Sequence, residues 1–115
     1  MSFVNPKIQR QRELAMLWLS SSDARSTATK LVQKFKLRID CEDLLSEAAL
    51  RIYETMSRRS EPLVGDDVEV VAIRYSARSL NNLAIETARK RVREKKLETD
   101  LIHSLPQQIP LERQV

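Results

Sequence analysis

The chain has 115 residues, of which 42% are hydrophobic and only 4% aromatic, with a single glycine. This length allows one domain with a modest core, and the shortage of aromatic residues and glycine argues against a β protein. The one cysteine, Cys41, excludes an internal disulfide and fits a reducing compartment. No apolar run approaches the ~18 residues that cross a bilayer, and the N-terminus lacks a signal-peptide pattern. We therefore expect an all-α cytoplasmic protein without a membrane segment.

Two helices are predicted in the first third of the chain. Asn5 and Pro6 begin the first in a favoured way, with a capping side chain followed by proline at the first helical position. Its predicted apolar edge consists of Ile8, Leu14, Leu17 and Trp18. The second helix follows the polar break at 20–23 and is predicted to end near Lys36. Its predicted inward residues are Ala24, Ala28, Leu31, Val32 and Phe35.

A third helix, capped by Asp40, has the clearest amphipathic pattern in the sequence. Its predicted inward residues are Leu44, Leu45, Ala48, Ile52, Tyr53 and Met56. The loop at 57–65 holds Pro62 and the glycine. Asp66 or Asp67 then caps a long fourth helix, predicted to run through Leu97. Its predicted apolar stripe is Ile73, Ala77, Leu80, Ala84 and Ala88, with Val70, Leu83 and Val92 close to it.

The middle of the fourth helix and the end of the chain carry two further structural signals. Asn81 and Asn82 are poor helix formers in mid-helix and predict either a kink or a contact. Beyond Glu98, the prolines and glutamines predict a disordered tail. We therefore assign residues 1–98 to a compact bundle of about four helices and 99–115 to a flexible tail.

Charge is distributed unevenly along the chain, whose formal net charge is +4. Carboxylates dominate the segment 40–69, whereas six cations lie between Arg89 and Lys96. Two electrostatically different regions fit two partners better than one. There is no Gly-rich phosphate loop, no set of Cys and His ligands, and one isolated histidine, His103. The sequence thus predicts no enzyme, no metal site and no cofactor.

The basic fourth helix favours nucleic-acid binding. Cations that neutralise phosphates release counterions, so the cluster from Arg89 to Lys96 would give salt-sensitive affinity. Tyr75 has the chemistry to stack on an unpaired base, which is worth about 1–3 kcal/mol, and Asn81 and Asn82 have the chemistry to read base edges. The alternative is a solvated helix end, in which Arg and Lys only complement the helix dipole.

Two blocks of the sequence resemble the bacterial sigma-70 family, closest to its extracytoplasmic-function group. Residues 40–53, DCEDLLSEAALRIY, resemble the family helix DAEDLVQEVFLRLW. Residues 75–91, YSARSLNNLAIETARKR, are similar to WLYRIARNLAIDYLRRR. The blocks occur in the family order, with a loop between them, and cover most of 35–97. The resemblance implies a sigma region-2 domain.

In that family the first block docks on the clamp helices of the β′ subunit of core RNA polymerase. The second, with the preceding loop, recognises and helps to open the −10 promoter element. The resemblance implies polymerase contacts at Glu42, Asp43, Glu47 and Arg51. It implies DNA contacts at Tyr75, Arg78, Asn81, Asn82, Arg89, Lys90, Arg91 and Arg93, with further ones from Arg58 and Arg59 in the loop.

The sequence also departs from the family pattern. Ser46 replaces a glutamine, Tyr75 a tryptophan and Asn81 an arginine. Nothing after Glu98 is long enough for the helix-turn-helix domain that reads the −35 element, which predicts a second polypeptide with that role. Two alternatives stay open: a sigma mimic that occupies polymerase without opening DNA, and a helical protein–protein adaptor whose basic end only solubilises it.

Overall fold

A computed structural model describes residues 5–104, which fold into four α-helices and contain no strand. The helices are α1 (Pro6–Leu19), α2 (Ser22–Lys34), α3 (Cys41–Arg58) and α4 (Val68–Ser104). The predicted all-α bundle of about four helices is confirmed. Most of the predicted tail, 105–115, lies outside the described residues. No helix within 5–104 combines the length and the apolar character that crossing a membrane requires.

Short polar side chains begin the helices, as the sequence predicts. Asn5 Oδ1 accepts a hydrogen bond from the Lys7 N–H at 2.9 Å, and Asp40 Oδ1 accepts one from the Asp43 N–H at 2.8 Å. At α4 the capping residue is Asp67, whose Oδ1 accepts from the main-chain N–H groups of the two residues that follow Val68. Each cap satisfies N–H groups that the helix itself leaves unpaired.

The core is centred on α3. Leu44, Ala48, Ile52 and Met56 are at most 1% exposed, as their spacing of four residues predicts. The prediction for Tyr53 is wrong, because this side chain is 49% exposed. Its ring lies instead under the guanidinium of Arg12 on α1, whose Cζ is 4.6 Å from the ring centroid.

The buried face of α1 differs from the predicted edge. It consists of Ile8, Gln11, Ala15 and Leu19. Leu17 is 64% exposed, and Leu14 and Trp18 are only half-buried. Sequence reasoning missed this face because it contains a glutamine, whose amide is paired inside the protein rather than solvated.

Two predicted helix ends are corrected. The second helix ends at Lys34 rather than near Lys36, because Lys36 adopts a left-handed conformation with φ 51°. The fourth helix continues past Leu97 to Ser104. It also runs without interruption through Asn81 and Asn82.

The apolar face predicted for α4 is corrected in part, since Leu80, Leu83 and Ala84 are buried as predicted but the rest of the face differs. Its buried residues are Ala72, Ser76, Leu80, Leu83 and Ala84. Val70 is 41% and Val92 68% exposed. Ser76 is tolerated in the core because its hydroxyl donates to the Ala72 carbonyl at 2.8 Å. From Arg89 to Ser104 every side chain except Arg91 is exposed, so α4 projects beyond the bundle.

Candidate functional site

Several predicted DNA-binding residues share one face of α4. Intervals of three, four or seven residues keep side chains on one side of a helix. The face, called here the α4 stripe, consists of Tyr75, Arg78, Asn82, Arg89 and Arg93. It extends over about 27 Å at the rise of an α-helix. All members except the half-buried Tyr75 are exposed.

Tyr75 separates two grooves. The first, called here the loop groove, lies between α4 and the α3–α4 loop. Its lining combines apolar and aromatic side chains with two arginines and two carboxylates: Val64, Val71, Tyr75, Arg74, Arg78, Asp66 and Asp67. The second lies between α3 and α4, where Tyr75 is joined by Asn82 and Glu86. The ring of Tyr75 also packs against the core. An aromatic ring that packs against the core and also lines two grooves is well placed for stacking on a base.

Not all predicted DNA contacts join the α4 stripe. Arg91 lies on the opposite side of the helix, where its Nη1 donates to the Lys36 carbonyl at 2.7 Å. Asn81 is half-buried and also lies off the stripe. Lys90 is at its edge, with Nζ 4.0 Å from Glu94 Oε1. Sequence reasoning grouped these residues because they are neighbours in the chain, although a helix distributes neighbours around its axis.

The two loop arginines also lie away from the groove lining. Arg58 is in the last turn of α3, and Arg59 is the residue that ends this helix. Arg59 Nε donates to the Glu61 carbonyl at 3.0 Å. The loop residues that line the loop groove are 63–67 instead.

The outward side of α3 forms a second surface, called here the α3 outer face. It consists of Asp43, Glu47, Leu50 and Glu54, all exposed. Leu50 is 59% exposed at the centre of three carboxylates. Asp43 and Glu47 were predicted from the sequence, whereas Leu50 was not, although its position three residues after Glu47 was the available signal. A single exposed leucine is common on protein surfaces, so the negative charge distinguishes this face more than Leu50 does.

The two remaining predicted polymerase contacts lie on the flanks of α3, where each is paired. Glu42 Oε1 is 2.7 Å from Arg25 Nη1 of α2. Arg51 donates two hydrogen bonds to the Glu86 carboxylate of α4, at 2.9 and 3.1 Å. A bidentate pair of this kind fixes orientation as well as charge.

The pair of Arg51 and Glu86 affects the charge beside the α4 stripe. The hydrogen bond from Arg51 lowers the pKa of the Glu86 carboxyl, and the same bond raises the pKa of Arg51. Glu86 follows Asn82 on the helix face that leads to Arg89, so an unpaired carboxylate there would repel phosphate. The pairing with Arg51 offsets part of this negative charge, although the pair is about half exposed and Arg51 also lies 3.7 Å from Glu47.

A third surface, which sequence reasoning missed, is an apolar cleft at the junction of α2 and α4. Phe35, Ile85 and Val92 line it, with Arg89 and Arg93 at its rim. Lys34 Nζ lies 5.3 Å from the centroid of the Phe35 ring. Two members of the α4 stripe are therefore beside apolar surface as well as solvent.

Comparison of the chain with family models, with curated proteins and with solved structures found no match. Its class is therefore defined by the fold and the surfaces themselves. Residues 5–104 form an all-α bundle with an acidic surface on α3 and a cationic, partly aromatic surface on α4. The resemblance to the sigma-70 family stays a prediction.

Proposed function

We propose that this chain is a sigma region-2-like transcription factor. It binds the β′ clamp helices of core RNA polymerase through the α3 outer face and single-stranded −10 promoter DNA through the α4 stripe. The observation that carries the proposal is the separation of an acidic surface and a cationic surface onto the two helices that hold the two sigma-like blocks.

The chemistry of the α4 stripe supports the DNA half of the proposal. Arg78, Arg89 and Arg93 offer planar donors that suit phosphate oxygens, and their spacing follows a strand along the helix. Tyr75 offers a stacking platform beside two grooves. Asn82 offers an amide that can both donate to and accept from a base edge. This set suits unpaired nucleotides better than duplex DNA because it places stacking next to phosphate contacts.

The protein half of the proposal is supported by the α3 outer face. Asp43, Glu47 and Glu54 make it negative, and Leu50 adds apolar surface that gains free energy only when a partner covers it. Glu42 and Arg51 differ from these residues because each is paired within the chain. They join α3 to α2 and to α4, while 65% of the Glu42 side chain and 48% of the Arg51 side chain stay exposed, so contacts with the partner through both remain part of the proposal.

A second candidate function is a polymerase-binding protein that does not open DNA. It is favoured by one observation, namely that Tyr75 is the sole aromatic residue in the sequence of α4. Holding a separated strand takes base stacking, and a single ring supplies about 1–3 kcal/mol of it. The two functions share the α3 outer face and differ only in what α4 does.

Capture by core RNA polymerase tests the shared part of both functions. The double variant Asp43→Lys, Glu47→Lys should lose capture, because it reverses two charges on the α3 outer face while leaving its buried side intact. The control is Glu13→Lys, a single charge reversal at an exposed site on α1. Equal capture of both variants would contradict docking through α3, and a wild-type chain that is never captured would favour the adaptor.

Strand opening separates the two functions. A fluorescent base analogue in the non-template strand of the −10 element brightens when it leaves the stack. The sigma-like function predicts an increase that depends on this chain, on polymerase and on Tyr75. Capture by polymerase without any fluorescence change would favour the second candidate.

A further inference from the structure

Gln11 of α1 connects two distant parts of the chain. Its side chain is completely buried. Nε2 donates to the Leu63 carbonyl at 3.0 Å, and Oε1 accepts from the Leu63 N–H at 2.9 Å. A buried primary amide is costly unless its donors and acceptors are paired, and here one main-chain residue provides a partner for each end. An aliphatic residue would fill the space on α1 but leave the Leu63 backbone free.

Leu63 belongs to the α3–α4 loop, which forms one wall of the loop groove together with Val64 and Gly65. The loop is fixed at a second point by Gly65, whose φ of 148° strongly favours glycine. A Cβ at this position would also collide with the side chain of Val71 on α4. The loop is thus held to α1 on one side of Val64 and closely packed on α4 on the other.

Fixing the loop has a direct consequence for the groove. Val64 is 96% exposed, so its own burial does not hold the wall in place. The hydrogen bonds of Gln11, the packing of the Leu63 side chain against the core and the close approach of Gly65 hold it instead. A groove that is already formed in the free protein avoids the entropy that ordering a loop would cost upon binding.

We propose that Gln11 is a positioning residue of the nucleic-acid site, whose amide keeps the loop groove open beside Tyr75 before DNA arrives. The proposal rests on the proposed function, in which single-stranded nucleotides occupy this groove. It extends the site to α1, which lies outside the two blocks that resemble the sigma family. Gln11 touches no DNA and acts only through Leu63.

The test uses Gln11→Met, which keeps the length of the side chain and removes both hydrogen bonds. Affinity for a single-stranded −10 oligonucleotide should fall about three- to tenfold, the range expected when the hydrogen bonds that preorganise a site are lost. The dependence of affinity on salt should keep its slope, because no cation has been removed. A flatter slope would mean that phosphate contacts along α4 were lost, which would overturn a role confined to the loop.

Arg12→Gln provides the matched control on α1. Arg12 Nη1 donates to Ser57 Oγ at 3.0 Å and does not bond to Leu63, so its loss weakens the α1–α3 contact without releasing the loop. The control should bind the oligonucleotide like the wild-type chain. If it loses as much affinity as Gln11→Met, general loosening of α1 explains the effect and the proposal fails.

Hydrogen exchange in the absence of DNA provides the second measurement. Amides of the loop should exchange faster in Gln11→Met than in wild type, while those of α3 stay protected. Gly65→Ala disturbs the same loop from the other side and should give the same pair of effects. Faster exchange with unchanged DNA affinity would overturn the positioning role, and unchanged exchange would overturn the loop attachment. If the wild-type chain binds no oligonucleotide, the proposed function is refuted. Faster loop exchange in Gln11→Met than in wild type would still establish that Gln11 attaches the loop to α1.

Discussion

Arg89 and Arg93 should contribute more to DNA binding than Arg91, although each lies only two positions from it in the chain. Arg89 and Arg93 lie on the stripe and are exposed. Arg91 faces the other way and donates to the Lys36 carbonyl. The perturbation is therefore the double variant Arg89→Gln, Arg93→Gln, compared with Arg91→Gln, which removes a cation from the same segment.

The expected magnitude follows from counterion release. Each phosphate contact with a single strand contributes about 0.7 to the slope of log affinity against log salt. Losing the contacts of Arg89 and Arg93 should flatten the slope by about 1.4, which corresponds to a roughly 25-fold loss of affinity near 0.1 M salt. Arg91→Gln should change the slope by less than about 0.3, because its guanidinium lies off the strand path.

The assay is fluorescence anisotropy of a labelled single-stranded oligonucleotide, titrated at salt concentrations between about 50 and 200 mM. Circular dichroism confirms that each variant keeps its helix content. If Arg91→Gln flattens the slope as much per residue as the double variant, binding depends on the total charge of the segment. The proposal that DNA follows the α4 stripe would then be wrong. An unchanged slope in the double variant would show that Arg89 and Arg93 make no phosphate contacts.

Three further predictions concern stability. Leu44→Ala, at a fully buried site, should lower the free energy of unfolding by about 2–5 kcal/mol, whereas Leu50→Ala on the α3 outer face should cost well under about 1 kcal/mol; chemical denaturation that gives equal losses would contradict the assigned faces. Asp40→Ala should cost about 0.5–2 kcal/mol through loss of the α3 cap, and no loss would show that the cap is replaced by water. Because the pKa of Glu86 is lowered in the folded chain, its pair with Arg51 stabilises the fold above about pH 4.3 and this contribution disappears as the pH falls through the lowered value. Arg51→Gln should remove that part of the pH dependence, and an unchanged stability profile would contradict it.

Local signals made much of the fold predictable. The α3 core residues recur every four positions, and the caps at Asn5 and Asp40 use side-chain chemistry that acts within one helical turn. Such features depend on neighbours in the chain, so the sequence alone carries them. The end of α4 was harder to predict, because the helix continues beyond the bundle, where its apolar residues Leu97, Leu101 and Ile102 stay exposed.

Features that depend on tertiary contacts could not be predicted. Gln11 looks like a surface residue until Leu63, 52 positions away, is seen beside it. The pairing of Arg51 with Glu86 likewise joins two helices that the sequence does not place side by side. For the candidate site, the sequence identified the residue types, whereas the helix geometry selected which of them share a face. Arg91 shows the difference most clearly, since charge alone gave it the same role as Arg89.

In the proposed function, the α3 outer face and the α4 stripe work together on one assembly. The most direct measurement is anisotropy of a labelled single-stranded −10 oligonucleotide, at concentrations too low for either core RNA polymerase or this chain to bind it alone. We predict that adding both produces a stable complex, which is lost with Asp43→Lys, Glu47→Lys and weakened with Tyr75→Ala. If polymerase does not increase the anisotropy, or if the increase survives the reversal of both α3 charges, the chain does not join polymerase to DNA through these two surfaces.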